Sequence, residues 1–296
     1  MKNRKVHLLV VIAVIATVAG VVGFTARGSG GGSQSRTATT PKPPVKSTLS
    51  TPATKPKSTS ATTAAATQNQ LFRNELNWTF GGKQQRGWYL YDELLAETLD
   101  TDVAPISDDF AEAVSKWQKR RGLSTSGVLD QNSWMAMVSH WQGNRLKNRS
   151  TPAPDQLVTA PASDFYDPSR AAEHRQVERE TYDAYLKMIA AASEDLKLSA
   201  NNQYLKIISA FRSREYQQML RRKSPNAGSA GLAVNNSPHF TGRALDLYVG
   251  GDPVDTKTAN RAIQVNTPAY KWLVRNAKRF GFRPYFYEPW HWEYVK

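Results

Sequence analysis

Apolar positions are spread unevenly along the chain. From Leu8 to Phe24 they run without a charge (LLVVIAVIATVAGVVGF). With Val6, Thr25 and Ala26 the run approaches the roughly 20 residues that cross a bilayer core. From Gly28 to about Gln70 large apolar side chains all but vanish (GSGGGSQ, then TPKPPVKSTLSTPATKPKSTSATTAAAT). Such a stretch cannot offset its own ordering entropy, so residues 28–70 are expected to form a disordered Ser/Thr/Pro-rich linker. Helical spacing then begins. Phe110, Val114 and Trp117 fall at i, i+4 and i+7, Trp134, Met137, Val138 and Trp141 repeat one face, and Leu90, Leu94, Leu95 and Leu99 supply a third. Gly122 can end one helix, and Asp130 or Asn132 can cap the next. Residues 71–142 therefore read as a small helical domain, followed by a polar, Pro-containing linker over 143–164.

The remainder, 165–296, mixes both periods. Asp167 and Pro168 suggest a helix start, with Val177, Thr181, Tyr185, Met188, Ile189 and Ala192 as its buried stripe. Tyr204–Phe211 and Ala244–Val249 read as strands, with Ser213–Arg222 as a helix between them. Thr267 and Pro268 open another helix, with Trp272, Leu273 and Phe280 inward and Gly281 at its end. The closing PYFYEPWHWEYV reads as aromatic-rich strand. Helices interspersed with antiparallel-type strands predict an α+β architecture.

Charge changes the picture less than its total suggests. The 296 residues carry 39 Lys and Arg against 25 Asp and Glu, a formal +14. Nine of the basic residues (Lys2, Arg4, Lys5, Arg27, Arg36, Lys42, Lys46, Lys55 and Lys57) lie in the first seventy positions, which hold no acid. The rest of the chain is only mildly basic, which argues against nucleic acid as a partner. Lys2, Arg4 and Lys5 precede the apolar run, so the positive-inside tendency sends everything after Arg27 out of the cytoplasm. Residues 1–27 are expected to be a single-pass membrane anchor with its N-terminus inside, or a signal segment if cleaved. The protein is accordingly expected in the cell envelope. No A-x-A site closes the run.

There is no Cys, so any metal must be held by His and carboxylate. The five His stand at 7, 140, 174, 239 and 291. His239 and Asp246 sit in SPHFTGRALD, and His291 sits in EPWHWEY. Asp246 falls mid-strand between Leu245 and Leu247, where an unpaired carboxylate is costly unless a cation meets it. Gly242 permits a tight turn, so that His239 and Asp246 approach from two sides of one bend. Two neutral imidazoles and one carboxylate make a three-ligand site with an open fourth position, the pattern of catalytic zinc. Other divalent ions fit the same ligands. Glu288, three residues before His291, suits a base that takes a proton from water and returns it to a leaving amine.

Two resemblances follow. AVSKWQKRRGLSTSGVLDQNSWMAM, through Trp117, Gln118, Gly122, Leu123, Gly127, Val128 and Trp134, resembles the three-helix peptidoglycan-binding domain of type 1. S-x-H-x-x-G-x-A-x-D followed by E-x-W-H-x-E-Y (Ser237, His239, Gly242, Ala244, Asp246; Glu288, Trp290, His291, Glu293, Tyr294) resembles the VanY-type zinc D,D-carboxypeptidases and their relatives, the LAS peptidases. SAFRSREYQ resembles the S-G-Y-R-S-x-x-x-Q segment of that family, with Ala210 and Phe211 in place of Gly and Tyr. The resemblance implies a central antiparallel sheet, one Zn²⁺ and amide hydrolysis by zinc-bound water without a covalent intermediate. It implies that Arg212 stabilises charge on the scissile carbonyl oxygen. Gln217, Ser237 and Trp290 would contact substrate, while Glu293 and Tyr294 would support the ligands. The expected activity is removal of terminal D-Ala from peptidoglycan stem peptides. L,D-carboxypeptidase or endopeptidase action within the same family remains open, as does a non-catalytic zinc-containing wall-binding protein. Partners are then peptidoglycan and the membrane.

Overall fold

The structure, a computed structural model, describes residues 59–223 and 236–296. The apolar run at 8–24, most of the expected linker and nearly all of the loop from 223 to 236 lie outside the described residues. Among those described, no helix is long and apolar enough to cross a membrane.

Helix α1 (Thr59–Glu75) overturns part of the linker expectation, because residues 59–70 are helical. Alanine carries the highest intrinsic helix propensity, and Ala65, Ala66 and Asn69 are buried. Asn69 explains why the helix stays docked: its Nδ2 donates to Gly127 O at 2.9 Å and its Oδ1 accepts from Leu129 N at 2.7 Å. A hairpin follows, β1 (Asn77–Phe80) paired with β2 (Lys83–Arg86). Then come α2 (Asp92–Leu99), α3 (Asp108–Arg120) and α4 (Gln131–Gly143).

Ser107 caps α3 by accepting from Phe110 N, and Asp130 caps α4 by accepting from Ser133 N. Gln118, buried on α3, accepts from Gly127 N at 2.9 Å and donates to Val128 O and Ser133 Oγ. The Trp-Gln and Gly-Val pairs of the sequence pattern are thus a packing device that pins the loop between α3 and α4. At Gly127, φ is +73° and a Cβ would meet Ala111 O at 2.8 Å, so glycine is required.

The second half is built on a four-stranded antiparallel sheet ordered β5-β6-β8-β7, from β5 (Ile207–Ser209), β6 (Ala244–Leu247), β7 (Phe282–Pro284) and β8 (His291–Tyr294). A two-stranded pair, β3 (Leu157–Thr159) with β4 (Gln176–Glu178), leads into α5 (Arg179–Ala192). The short α6 (Leu196–Ser199), then α7 (Arg214–Lys223), α8 (Thr258–Val265) and α9 (Pro268–Asn276) complete an α+β fold.

Three expectations shift. Helix α5 starts at Arg179 and not near Asp167, because the Glu178 carboxylate caps it by accepting from Thr181 N at 2.8 Å. The closing aromatic stretch is no single strand: a turn over 285–290 separates β7 from β8, closed by Glu288 N on Tyr285 O and His291 N on Glu288 O. The expected linker over 143–164 contributes β3, the buried Leu146 and Ala160, and contacts to β8. The two halves accordingly share one apolar core. Phe286 from the 285–290 turn packs against Phe80, Tyr91 and Trp141, with ring centroids 4.8, 5.6 and 5.8 Å away.

Candidate active site

The antiparallel register sets the centre of the site. Asp246 on β6 lies opposite His291 on β8 and opposite Ser209 on β5. The 3₁₀ turn Pro238–Thr241 brings in His239 and ends at Gly242, whose φ of +67° and close approach to Glu178 N leave no room for a Cβ. His239, Asp246 and His291 are buried, and their ligand atoms all lie within 4.8 Å of one another.

Hydrogen bonds assign the ring nitrogens. His239 Nδ1 lies 2.7 Å from Ala210 O, which can only accept, so Nδ1 carries the proton and Nε2 turns its lone pair toward Asp246 Oδ2 at 3.3 Å. For His291 the roles reverse: Nε2 faces Glu293 Oε1 at 3.2 Å and Nδ1 faces Asp246 Oδ1 at 2.9 Å. Such arrangements, with the outward nitrogen donating to a carbonyl or carboxylate, are how metal-binding imidazoles are usually oriented. The donor set fits a divalent cation of the zinc class.

Each ionisable group is tuned by what surrounds it. Burial pushes His239 down to about 4, with the nearby Arg212 guanidinium adding to the effect, so it is neutral at ordinary pH. Burial alone would also lower His291, but carboxylates on both nitrogens raise it to about 9. Burial would raise Asp246, yet the two imidazoles and Arg212 hold it well below the usual carboxylate range. Glu293, fully buried, is likewise held low by Arg145, His291 and Arg149. Glu288 differs from both. Burial lifts it to about 7, and its carboxylate makes no hydrogen bond among the described residues. A carboxyl poised near neutrality is suited to taking and returning a proton.

Arg212 follows β5 and projects into the centre. Its Nε donates to Ser209 Oγ at 2.9 Å and its Nη2 to Asp246 Oδ2 at 2.8 Å, not to Glu215 on the following helix. Nη1 makes no hydrogen bond among the described residues. Gln217, on α7, is buried with Oε1 unpartnered, and the half-buried Ser237 caps the His239 turn. Trp290, expected at the substrate, is 1% exposed: its ring belongs to the core, and its carbonyl accepts from Leu247 N.

Sequence reasoning missed the groups that hold Glu293. Arg145 Nε donates to Glu293 Oε1 at 3.1 Å, Leu146 N donates to Oε2 at 2.8 Å, and Arg149 Nη1 lies 3.5 Å from Oε1. No local signal marks them, since the partners stand 144 or more positions apart in the chain.

Residues 174–296 match the family model VanY, D-alanyl-D-alanine carboxypeptidase. Among solved structures, five chains match. One of them is a structure of the LdcB LD-carboxypeptidase described as revealing the molecular basis of peptidoglycan recognition. It shares 24% identity over 51% of this chain and 72% of that chain, with a TM-score of 0.36. No curated protein matches the chain.

Proposed function

We propose that this VanY-type domain is a zinc-dependent D-alanyl-D-alanine carboxypeptidase acting on peptidoglycan stem peptides. The observation that carries the reading is the convergence of His239 Nε2, His291 Nδ1 and the Asp246 carboxylate beside a buried Glu288 poised near neutrality. Zinc, when bound, supplies a Lewis acid that polarises the scissile carbonyl and makes water more acidic. Glu288 accepts a proton at its carboxylate and delivers it to the departing amine. Arg212, permanently charged and fixed by Ser209 and Asp246, offers its remaining N–H groups to negative charge developing on the carbonyl oxygen. Gln217 and Ser237 orient the peptide.

Under the same proposal the apolar run at 8–24 tethers the protein outside the cytoplasm, and the helical half faces the wall. The deciding experiment is mass spectrometry of the zinc-loaded protein incubated with stem pentapeptide and, separately, tetrapeptide. Loss of D-Ala from the pentapeptide alone is the expected result. Cleavage of the tetrapeptide, or within the stem, would keep the chemistry and change the specificity. No cleavage by a zinc-loaded protein would refute the enzyme reading.

A further inference from the structure

The VanY match begins at residue 174, yet the carboxylate that orients His291 is held from upstream of it. Glu293 Oε1 takes the His291 Nε2 contact at 3.2 Å, and the same oxygen receives Arg145 Nε at 3.1 Å. Its other oxygen accepts Leu146 N at 2.8 Å. Arg145 is itself buried, with its guanidinium stacked 3.9 Å over the Tyr285 ring at the root of the turn that carries Glu288. Arg149 adds a second positive charge 3.5 Å from Glu293. The segment leaving α4 therefore touches both the support of a candidate metal ligand and the base of the loop bearing the proton carrier.

We infer that Arg145 is a positioning residue of the metal centre, acting through Glu293 on His291, and that the segment 145–149 is part of the active site and no spacer. The physical reason is the requirement on the ring. His291 presents a lone pair at Nδ1 only if Nε2 keeps its proton, and Nε2 keeps it best when facing an ionised, correctly aimed carboxylate. A buried carboxylate stays aimed at the ring only when its oxygens are fixed by other hydrogen bonds, which is what Arg145 and Leu146 N supply. The helical half is thereby coupled to the chemistry by more than proximity: displacing α4 would move Arg145 and, with it, His291.

This inference rests on the metal reading of the site but not on the substrate assignment, so it is tested without peptide. Zinc affinity of the full chain is measured by chelator competition for the wild type, Arg145→Met, Arg145→Lys and Arg145→Met/Glu293→Gln. As a control, Arg275→Met breaks an exposed ion pair between the same halves, Arg275 with Glu93 on α2. Loss of carboxylate support behind a metal-binding imidazole typically costs about 10–100-fold in affinity. Arg145→Met should fall by that amount, Arg145→Lys should recover part of it, and Arg275→Met should match the wild type. Should Arg145→Met fail to fold, the double variant removes both buried charges together and is still expected to bind zinc more weakly, since a neutral amide is a poorer acceptor for Nε2. Wild-type zinc affinity in a folded Arg145→Met or in the double variant would overturn the inference. An equal loss in Arg275→Met would do the same, by showing that any cut between the halves suffices. Tight zinc binding by a protein that cleaves no stem peptide would sink the proposed function and leave this inference standing.

Discussion

Glu288→Gln separates what the site costs from what it does. Burial raises the Glu288 carboxyl from its ordinary 4.5 to about 7 in the folded protein. An acid whose folded value exceeds its unfolded value holds its proton more tightly when folded. The zinc-free protein therefore loses stability as pH rises from about 4.5 through about 7, and the loss persists above that. At about 1.4 kcal/mol per pH unit, the span corresponds to roughly 3 kcal/mol by pH 8. A buried amide has its own fixed cost, but that cost does not vary with pH. The informative quantity is thus the difference between pH 5 and pH 8 in each protein. Urea unfolding in the presence of a chelator should show the wild type losing about 2–3 kcal/mol more than Glu288→Gln across that interval. The zinc-loaded variant should meanwhile lose about 10²–10⁴-fold in turnover, the range for removing a general acid–base. Identical pH dependence of stability in the two proteins would refute the argument that burial sets the Glu288 proton affinity.

His291, raised to about 9, must shed its proton to ligate, so zinc binding at pH 7 should release about one proton. Affinity should climb about tenfold per pH unit up to that value, as titration calorimetry in buffers of different ionisation enthalpy would show. Arg212→Lys keeps a positive charge but loses the fork that spans Ser209 and Asp246. Turnover should drop about 10²–10³-fold while zinc still binds, the cost of losing one donor to developing negative charge. Asn69→Ala strips Gly127 O and Leu129 N of their buried partner, and should cost about 1–3 kcal/mol in denaturant unfolding. No effect there would mean that α1 is a passive extension of the helical half.

The residues that meet at the centre were legible because a metal-type donor set constrains residue type and spacing. His239, Asp246, Glu288 and His291 stand in two short strings; Asp246 and His291 face each other across β6 and β8, while the 3₁₀ turn before β6 brings in His239 and the turn before β8 carries Glu288. Caps were legible too: Asp130 and Thr267 accept from backbone N–H groups of the helices they open. Other features followed from contacts that no local pattern encodes. Helix α1 looked like linker because alanine and threonine carry little hydrophobic signal, and its docking depends on Asn69 meeting a loop some sixty residues away. The Asp167–Pro168 start was chemically plausible, yet the Glu178 carboxylate won the capping role eleven residues later. The stretch from 284 to 295 could read as a strand from its aromatic content, but Pro289 and the hydrogen bonds around Glu288 fold its middle into a turn. Arg145, in a polar segment beyond α4, carried no sign of its destination.

What distinguishes the three buried acids is the company each keeps. Asp246 receives Arg212 and two imidazoles, and Glu293 receives Arg145, Arg149 and the Leu146 N–H. Both stay ionised at any ordinary pH and can serve only as acceptors. Glu288 has neither an arginine hydrogen bond nor a backbone donor on its carboxylate among the described residues, so burial prevails and its proton becomes mobile near neutrality. Environments that push titratable groups apart in this way are what divide roles among chemically identical side chains. The division depends on arginines at two addresses, Arg212 within the VanY match and Arg145 before it. The same reasoning explains why a domain cut at 174 would be chemically incomplete. It would retain His239, Asp246, Glu288 and His291, but Glu293 would lose the hydrogen bonds of Arg145 and Leu146 N and the nearby charge of Arg149.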